Sequence, residues 1–344
     1  MDYDKDGIQD IISGSYDPGD VYLIRGLGDG KYAAVESITD QNETPLVHHP
    51  TELKRHLDRV AASDDPNTAA YAEEGIQDRI ASFGSWATPM DWDADGDLDM
   101  VIGTFLGEVY LRKNVGSREQ PEYDGSSEKV LINGKPLRED SHAAPVAVDW
   151  DGDGLQDLVV GSGNGGVGWY KNVGSSKDTK FGPKQVLVGA PSEAIFMSQY
   201  LYPGDTAVPG ARAQICVADF NHDGRLDLLV GDYSTHVTLD KSWSSQQTAE
   251  VNEALHQTAD TMKRSLAVQN RLKAKYLEAM EAGTIDMEAA QQEMQSEMLK
   301  AQTEGAADRK PISAATAEIV KELMDEGQIV SQVWLYLRKP EGNL

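Results

Sequence analysis

Four times this chain writes a nine-residue acidic phrase, DxDxDGxxD in three copies and with Asn221 at the third place in the fourth, and each copy runs straight into a short apolar segment. The copies begin at Asp2 (DYDKDGIQD), Asp91 (DWDADGDLD), Asp149 (DWDGDGLQD) and Asp219 (DFNHDGRLD). Carboxylates at the first, third, fifth and ninth places converge on one point if the backbone turns tightly at the glycine. Hard oxygen donors in that number suit Ca²⁺. The plainer explanation is an acidic turn, but a turn needs only one or two such residues. Three or four carboxylates within about 5 Å of each other repel strongly unless a cation neutralises them. An EF-hand is excluded, because the twelfth place holds Ser13, Ile102, Val160 and Val230 instead of glutamate. The segments after the loops are rich in branched apolar residues and are closed by glycine, which marks strands rather than helices.

Reading outward from each loop yields a longer repeat. The second copy is ATPMDWDADGDLDMVIGTFLGEVYLRKNVGS and the third is APVAVDWDGDGLQDLVVGSGNGGVGWYKNVGS. A strand enters (Pro145 to Val148), the acidic loop turns the chain and a buried strand returns (Leu158 to Gly161). A glycine-rich turn follows, and then an aromatic strand ends in Lys171-Asn172-Val173-Gly174. Such an antiparallel meander is the unit of a propeller blade.

These residues resemble the FG-GAP or VCBS repeat, whose relatives include the calcium-binding propeller of integrin α subunits. The resemblance covers roughly residues 1–40, 83–243 and 330–340. It implies a mainly β fold, a β-propeller with four recognisable blades that form an incomplete ring. Carried over residue by residue, it implies up to four Ca²⁺. The first would be held by Asp2, Asp4, Asp6 and Asp10, and the second by Asp91, Asp93, Asp95 and Asp99. The third would fall to Asp149, Asp151, Asp153 and Asp157, and the fourth to Asp219, Asn221, Asp223 and Asp227. The backbone carbonyls at the seventh place would be those of Ile8, Asp97, Leu155 and Arg225. The resemblance also implies an extracellular, cell-surface or periplasmic setting, where Ca²⁺ is millimolar, and recognition or scaffolding of a protein or glycan. The first loop lacks its incoming strand, because the chain begins at Met1. The expectation is an N-terminally shortened chain whose signal peptide and further blades lie upstream.

Two insertions interrupt the repeat. One, at about 41–82, contains Thr51 to Ala62, with Thr51 placed to cap a helix and Leu53, Leu57 and Val60 at helical spacing. The other, 244–328, reads as a helical hairpin inside the last blade. Its first helix runs over about Ser245 to Ala282, with Val251, Leu255, Met262, Leu266, Tyr276 and Met280 as the apolar series, and stops at Gly283. Thr284 or Asp286 can cap the next, where Met287, Met294, Met298 and Ala301 recur, and a third covers about Ser313 to Glu326 before Gly327. Val333-Trp334-Leu335-Tyr336-Leu337-Arg338-Lys339 repeats the pattern of Val109-Tyr110-Leu111-Arg112-Lys113, so 329–344 is the returning outer strand. Helices that pack only on each other and helices that form a partner-binding or self-associating arm are both consistent with this pattern.

At a net charge of −26 the chain lacks the basic footprint of nucleic-acid binders, and it disfavours anionic membrane surfaces. No segment reads as a membrane insertion. Cys216, the single cysteine, sits among strand-forming neighbours and reads as a small buried residue. The GxGxxG of Gly161 to Gly166 lacks the helix a dinucleotide site needs and reads as a hairpin turn. His48-His49 has no evident third ligand; a metal or catalytic role and a solvated loop both remain open. Tyr3, Trp92, Trp150 and Phe220 share the second loop place and read as packing between blades; an exposed one would offer a sugar-stacking face. Asn42-Glu43-Thr44 fits a glycosylation sequon. No local catalytic constellation appears, so a binding module leads and a secreted propeller enzyme acting on polysaccharide, a lyase or hydrolase, is the alternative.

Overall fold

The computed structural model describes residues 1–63, 83–190, 194–195, 198–201, 209–281, 287–303 and 311–339. They fall into two compact units. The first comprises Met1–Ala190, Arg212–Gly231 and Val333–Leu344, and the second Pro191–Ala211 and Asp232–Gln332. The fold is mainly β.

The first unit is a series of antiparallel sheets in chain order. Sheet one holds β1 (Ile11–Gly14), β2 (Val21–Ile24) and β3 (Glu36–Ser37). Sheet two runs β4 (Ser85–Met90), β5 (Asp99–Thr104), β6 (Val109–Arg112) and β7 (Glu128–Lys129). Sheet three repeats that order with β8 (Ala144–Val148), β9 (Asp157–Gly161), β10 (Val167–Tyr170) and β11 (Gln185–Val188). Next come β12 (Ala211–Ala218) and β13 (Asp227–His236), and β15 (Val333–Tyr336) pairs antiparallel with Leu228 to Gly231 of β13. Every residue of β5 and β9 is buried, which is why both read as unbroken apolar runs instead of alternating ones.

A glycine at or next to the end of β1, β5 and β9 allows the next sheet to approach. A Cβ on Gly14 would lie 1.9 Å from the Ser85 carbonyl oxygen, one on Gly103 2.0 Å from that of Ala143, and one on Gly161 2.2 Å from that of Ala213. The residues after these glycines then accept backbone hydrogen bonds from the following sheet: Ser85 N to Ser15 O (2.9 Å), Ala143 N to Thr104 O (3.0 Å) and Ala213 N to Ser162 O (3.0 Å). Gly231, the fourth in the series, meets nothing nearer than Gln214 O at 3.6 Å. The residues 161–166 form the expected hairpin turn, closed by Ser162 N to Gly166 O at 2.9 Å.

Several local expectations are corrected. Helix α1 spans Pro50–Ala61, so Pro50 occupies its first turn and His49, not Thr51, stands at the cap position without a side-chain capping bond, its Nε2 lying 3.1 Å from Tyr110 Oη instead. Its buried face is Pro50, Leu53 and His56, and Leu57 is exposed. The alternation along β12 buries Ala211 and Ala213 but leaves Gln214 and Cys216 outward, so Cys216 is exposed. His48 is not in a solvated loop; it is buried, with Nδ1 3.3 Å from Ser85 Oγ.

In the second unit, α2 (Ser245–Glu281) and α3 (Met287–Thr303) are antiparallel. Arg271 pairs with Glu297 at 2.5 Å, Lys275 with Glu293 at 2.6 Å, and Tyr276 Oη donates to Ala290 O at 2.9 Å. The first half of α2 buries Val251, Ala254, Leu255 and Ala259 with Val320 of α4 (Ala314–Asp325), whose N-terminus Ser313 caps by accepting from Thr316 N at 3.1 Å. β14 (Gln328–Val330) pairs with Ser234 to His236. The turn at Gly283, Thr284 and Asp286, the rest of the first insertion beyond residue 63, and the side chains of Leu266, Met280 and Met287 lie outside the described residues. Among the described residues no helix is long and apolar enough to cross a membrane.

Candidate metal centres

All four acidic loops share one backbone course. The fourth place is left-handed at Lys5, Ala94, Gly152 and His222, and the sixth at Gly7, Gly96, Gly154 and Gly224. Only the sixth is always glycine; at the fourth, three L-residues accept a conformation that costs roughly 1–2 kcal/mol. The seventh residue donates its N–H to the fifth-place carboxylate in every copy: Ile8 to Asp6 (2.8 Å), Asp97 to Asp95 (3.0 Å), Leu155 to Asp153 (2.9 Å) and Arg225 to Asp223 (3.0 Å).

The ninth-place aspartate has a structural task that the sequence reading did not anticipate. One oxygen accepts from the loop's own second residue: Tyr3 N to Asp10 at 2.8 Å, Trp92 N to Asp99 at 3.0 Å, Trp150 N to Asp157 at 3.2 Å and Phe220 N to Asp227 at 3.1 Å. The other accepts from the residue two beyond the third strand: Gly26 N (2.8 Å), Asn114 N (2.9 Å), Asn172 N (2.7 Å) and Arg338 N (2.9 Å). Each of these aspartates is buried and clips the loop to its sheet. Asp157 also accepts from Trp169 Nε1 at 2.9 Å. Replacing Asp157 with alanine strands three donors, and each unsatisfied buried donor costs about 1–3 kcal/mol. The expected loss is about 3 kcal/mol, read from urea unfolding in EDTA so that metal plays no part.

Loop carboxylates also cluster, and in the third loop the cluster includes the ninth-place Asp157 and leaves out Asp153. One oxygen each from Asp2, Asp4 and Asp6, from Asp91, Asp93 and Asp95, and from Asp149, Asp151 and Asp157 lie within 4.8 Å of one another. Asp2 Oδ1, Asp4 Oδ1, Asp91 Oδ1 and Asp151 Oδ1 are shut off from solvent and have no hydrogen-bond partner, an arrangement that fits a cation among them. Asp97, only 6% exposed, adds a further unpartnered Oδ1 beside the second cluster. Burial, and then the charges of Asp95, Asp93 and Asp91, raise its pKa to about 6. Burial pushes Asp99 up to about 7 although Asn114 and Trp92 donate to it. The fourth loop is more nearly satisfied from within. Asp223 takes the Asn221 amide at 3.0 Å and pairs with Arg225, and Asp219 accepts from Asp223 N and Gly224 N at 3.0 and 2.9 Å.

The second-place side chains pack forward along the chain. Tyr3 Oη meets Tyr123 Oη at 2.7 Å, Trp92 lies edge-on to Phe181 at 5.7 Å, and Arg338 stacks over Trp150 at 5.0 Å. Phe220 is the correction to this pattern: it is 55% exposed, because no counterpart of Tyr123, Phe181 or Arg338 faces it among the described residues.

Residues 149–230, which carry the third and fourth loops, match the family model of the FG-GAP-like repeat. No curated protein matches the chain. A solved structure of the Photorhabdus luminescens Tc holotoxin pore is similar over 65% of this chain, at 18% identity and a TM-score of 0.27. The chain spans 8% of that protein's length, and so weak an overlay carries no argument about how the sheets are arranged.

Proposed function

We propose that the chain is a β-propeller-type binding module, placed outside the cell or in the periplasm, whose acidic loops hold Ca²⁺ and whose exposed faces recognise a protein or a glycan. The observation that supports this best is the set of solvent-excluded, unpartnered oxygens on Asp2, Asp4, Asp91 and Asp151. Buried carboxylate oxygens without donors are costly, and a bound cation removes that cost. Asp2, Asp4 and Asp6 would hold one ion, Asp91, Asp93 and Asp95 a second, and Asp149, Asp151 and Asp157 a third. Asp219, Asn221 and Asp223 would hold a weaker fourth. Ca²⁺ supplies charge neutralisation and a fixed loop, so that binding energy becomes folding energy.

A cavity of about 420 Å³ in the first unit is lined by Ser13, Ser85, Trp86, Pro145 and Gln214 among others, without histidine, arginine, lysine or carboxylate. That lining favours recognition over acid–base chemistry on polysaccharide. Exposed Phe220 adds an aromatic face on which a sugar ring could stack. The test is calorimetric titration of EDTA-stripped protein with CaCl₂. More than one ion bound per chain supports the reading, and none bound overturns it.

A further inference from the structure

Sheets one, two and three place a basic side chain at one equivalent position, just beyond β2, β6 and β10 and directly before the residue whose N–H binds the ninth-place aspartate. These are Arg25, Lys113 and Lys171. They behave differently. Lys171 Nζ enters its own loop, paired with Asp151 and lying 2.8 Å from Asp153 Oδ2. Arg25 is divided between Asp4 and Glu36, the latter at 2.7 Å. Lys113 turns away from its loop to Glu128 at 3.2 Å, and among the described residues no lysine or arginine pairs with Asp91, Asp93, Asp95 or Asp97.

The cause lies in the strand register. Glu36 sits opposite Leu23, Glu128 opposite Leu111 and Gln185 opposite Trp169. Each of those three partners is two residues before the basic position, so Glu36, Glu128 and Gln185 are equivalent. Where that cross-strand residue is glutamate it competes with the loop for the basic side chain, sharing Arg25 with Asp4 through Glu36 and holding Lys113 through Glu128; where it is the neutral Gln185, the lysine has only its loop to bind.

Building on the calcium reading above, we infer that this cross-strand position sets the order in which the loops take up Ca²⁺: Glu128 keeps the second loop free for metal, whereas Lys171 is a tethered counter-ion that metal must displace from the third. A cation already paired with two loop carboxylates competes for the same oxygens, and its removal leaves a stronger anionic site. The second loop, with Asp97 added to its cluster, fills first; the third fills later. The chain thereby reads calcium concentration in steps, using loops whose consensus residues are nearly identical.

Terbium luminescence, excited in the tryptophan band, reads each loop through its own Trp92 or Trp150, with the other loop disabled by Asp→Asn changes at its first and third places. CaCl₂ then displaces Tb³⁺ to give the calcium affinity. The second loop is expected to bind at least fivefold more tightly than the third. Glu128→Gln should weaken the second loop about fivefold, and Gln185→Glu should tighten the third about fivefold. All the substituted cross-strand positions are exposed, so the fold tolerates them. The decisive arm is Gln185→Glu in a Lys171→Gln background. If Lys171 mediates the effect, the second change adds nothing; an undiminished gain there, or equal affinities of the two loops at the outset, overturns the inference while leaving calcium binding intact. If neither loop binds Tb³⁺ or Ca²⁺, the underlying calcium reading falls and the ordering falls with it.

Discussion

Stripped of metal with EDTA and then returned to millimolar CaCl₂, the protein should melt roughly 15 °C or more above its metal-free form. A ligand at a hundred times its Kd stabilises the folded state by about 2.7 kcal/mol per site, so three loops together supply about 8 kcal/mol. In a unit of this size each kcal/mol moves the midpoint by about 2–4 °C. The gain is large because the metal-free loops oppose folding: Asp91, Asp93, Asp95 and Asp97 stand together without a paired cation among the described residues. MgCl₂ at the same concentration should move the midpoint less, since Mg²⁺ demands near-octahedral geometry and keeps its waters. A midpoint that does not respond to calcium would show that the loops are acidic turns and nothing more. The direction with pH follows from Asp97 and Asp99, whose folded pKa values of about 6 and about 7 lie above the ordinary value of 3.8. Raised carboxylate values favour the folded state below the unfolded pKa. Metal-free stability from this pair should therefore decline as pH rises from about 4 to about 7.

Replacing Asp40 with alanine should cost about 4 kcal/mol with or without calcium, because the charge it leaves behind is buried. The Arg112 guanidinium has a side chain 0% exposed against 1% for Asp40, and the two meet at 3.1 Å. Arg112 also donates to Val47 O at 2.6 Å and Asp124 O at 2.8 Å, and Asp40 Oδ1 accepts from Asn42 N and Thr44 N at 2.9 and 3.1 Å. One ion pair thus ties the segment that opens the first insertion to strand β6. Truncating one partner leaves the other without compensation, whereas replacing both by apolar groups is often nearly neutral. The double variant Asp40→Leu/Arg112→Met should recover more than half of the lost stability in urea unfolding. Recovery of none would mean that the hydrogen bonds around the pair, not the stranded charge, carry the cost.

What could be read from the chain alone follows from the distance over which each feature is determined. The loops were legible because their ligand-type residues, their glycine and their following strand lie within a dozen positions, and the meander order was legible for the same reason. Phe220 and Cys216 are exposed against expectation because exposure depends on what lies across from a strand, which local pattern does not state. The Arg112–Asp40 pair joins residues from two repeats and has no periodic signature. The role of Gln185 is of the same kind: it differs from Glu128 by one atom type and can be recognised as equivalent only through strand register. The ninth-place aspartates illustrate a subtler limit. The sequence reading makes them metal ligands, and a carboxylate that accepts two backbone N–H groups looks the same in sequence as one reserved for metal.

The forward packing of Tyr3 on Tyr123, Trp92 on Phe181 and Trp150 under Arg338 gives the repeat array a polarity. Each loop grips the sheet that follows it in the chain, and none of these three contacts reaches back to the sheet before. Damage to a loop is nevertheless felt on both sides: disordering Asp91 to Asp99 loosens the hold on Phe181 downstream and also removes the Leu98 carbonyl that accepts from Tyr123 Oη at 3.2 Å, the hydroxyl that meets Tyr3 upstream. Mechanical or thermal failure starting at the second loop would therefore spread toward both neighbouring sheets, and that loop, clasped on either side, would govern how much of the array stays closed.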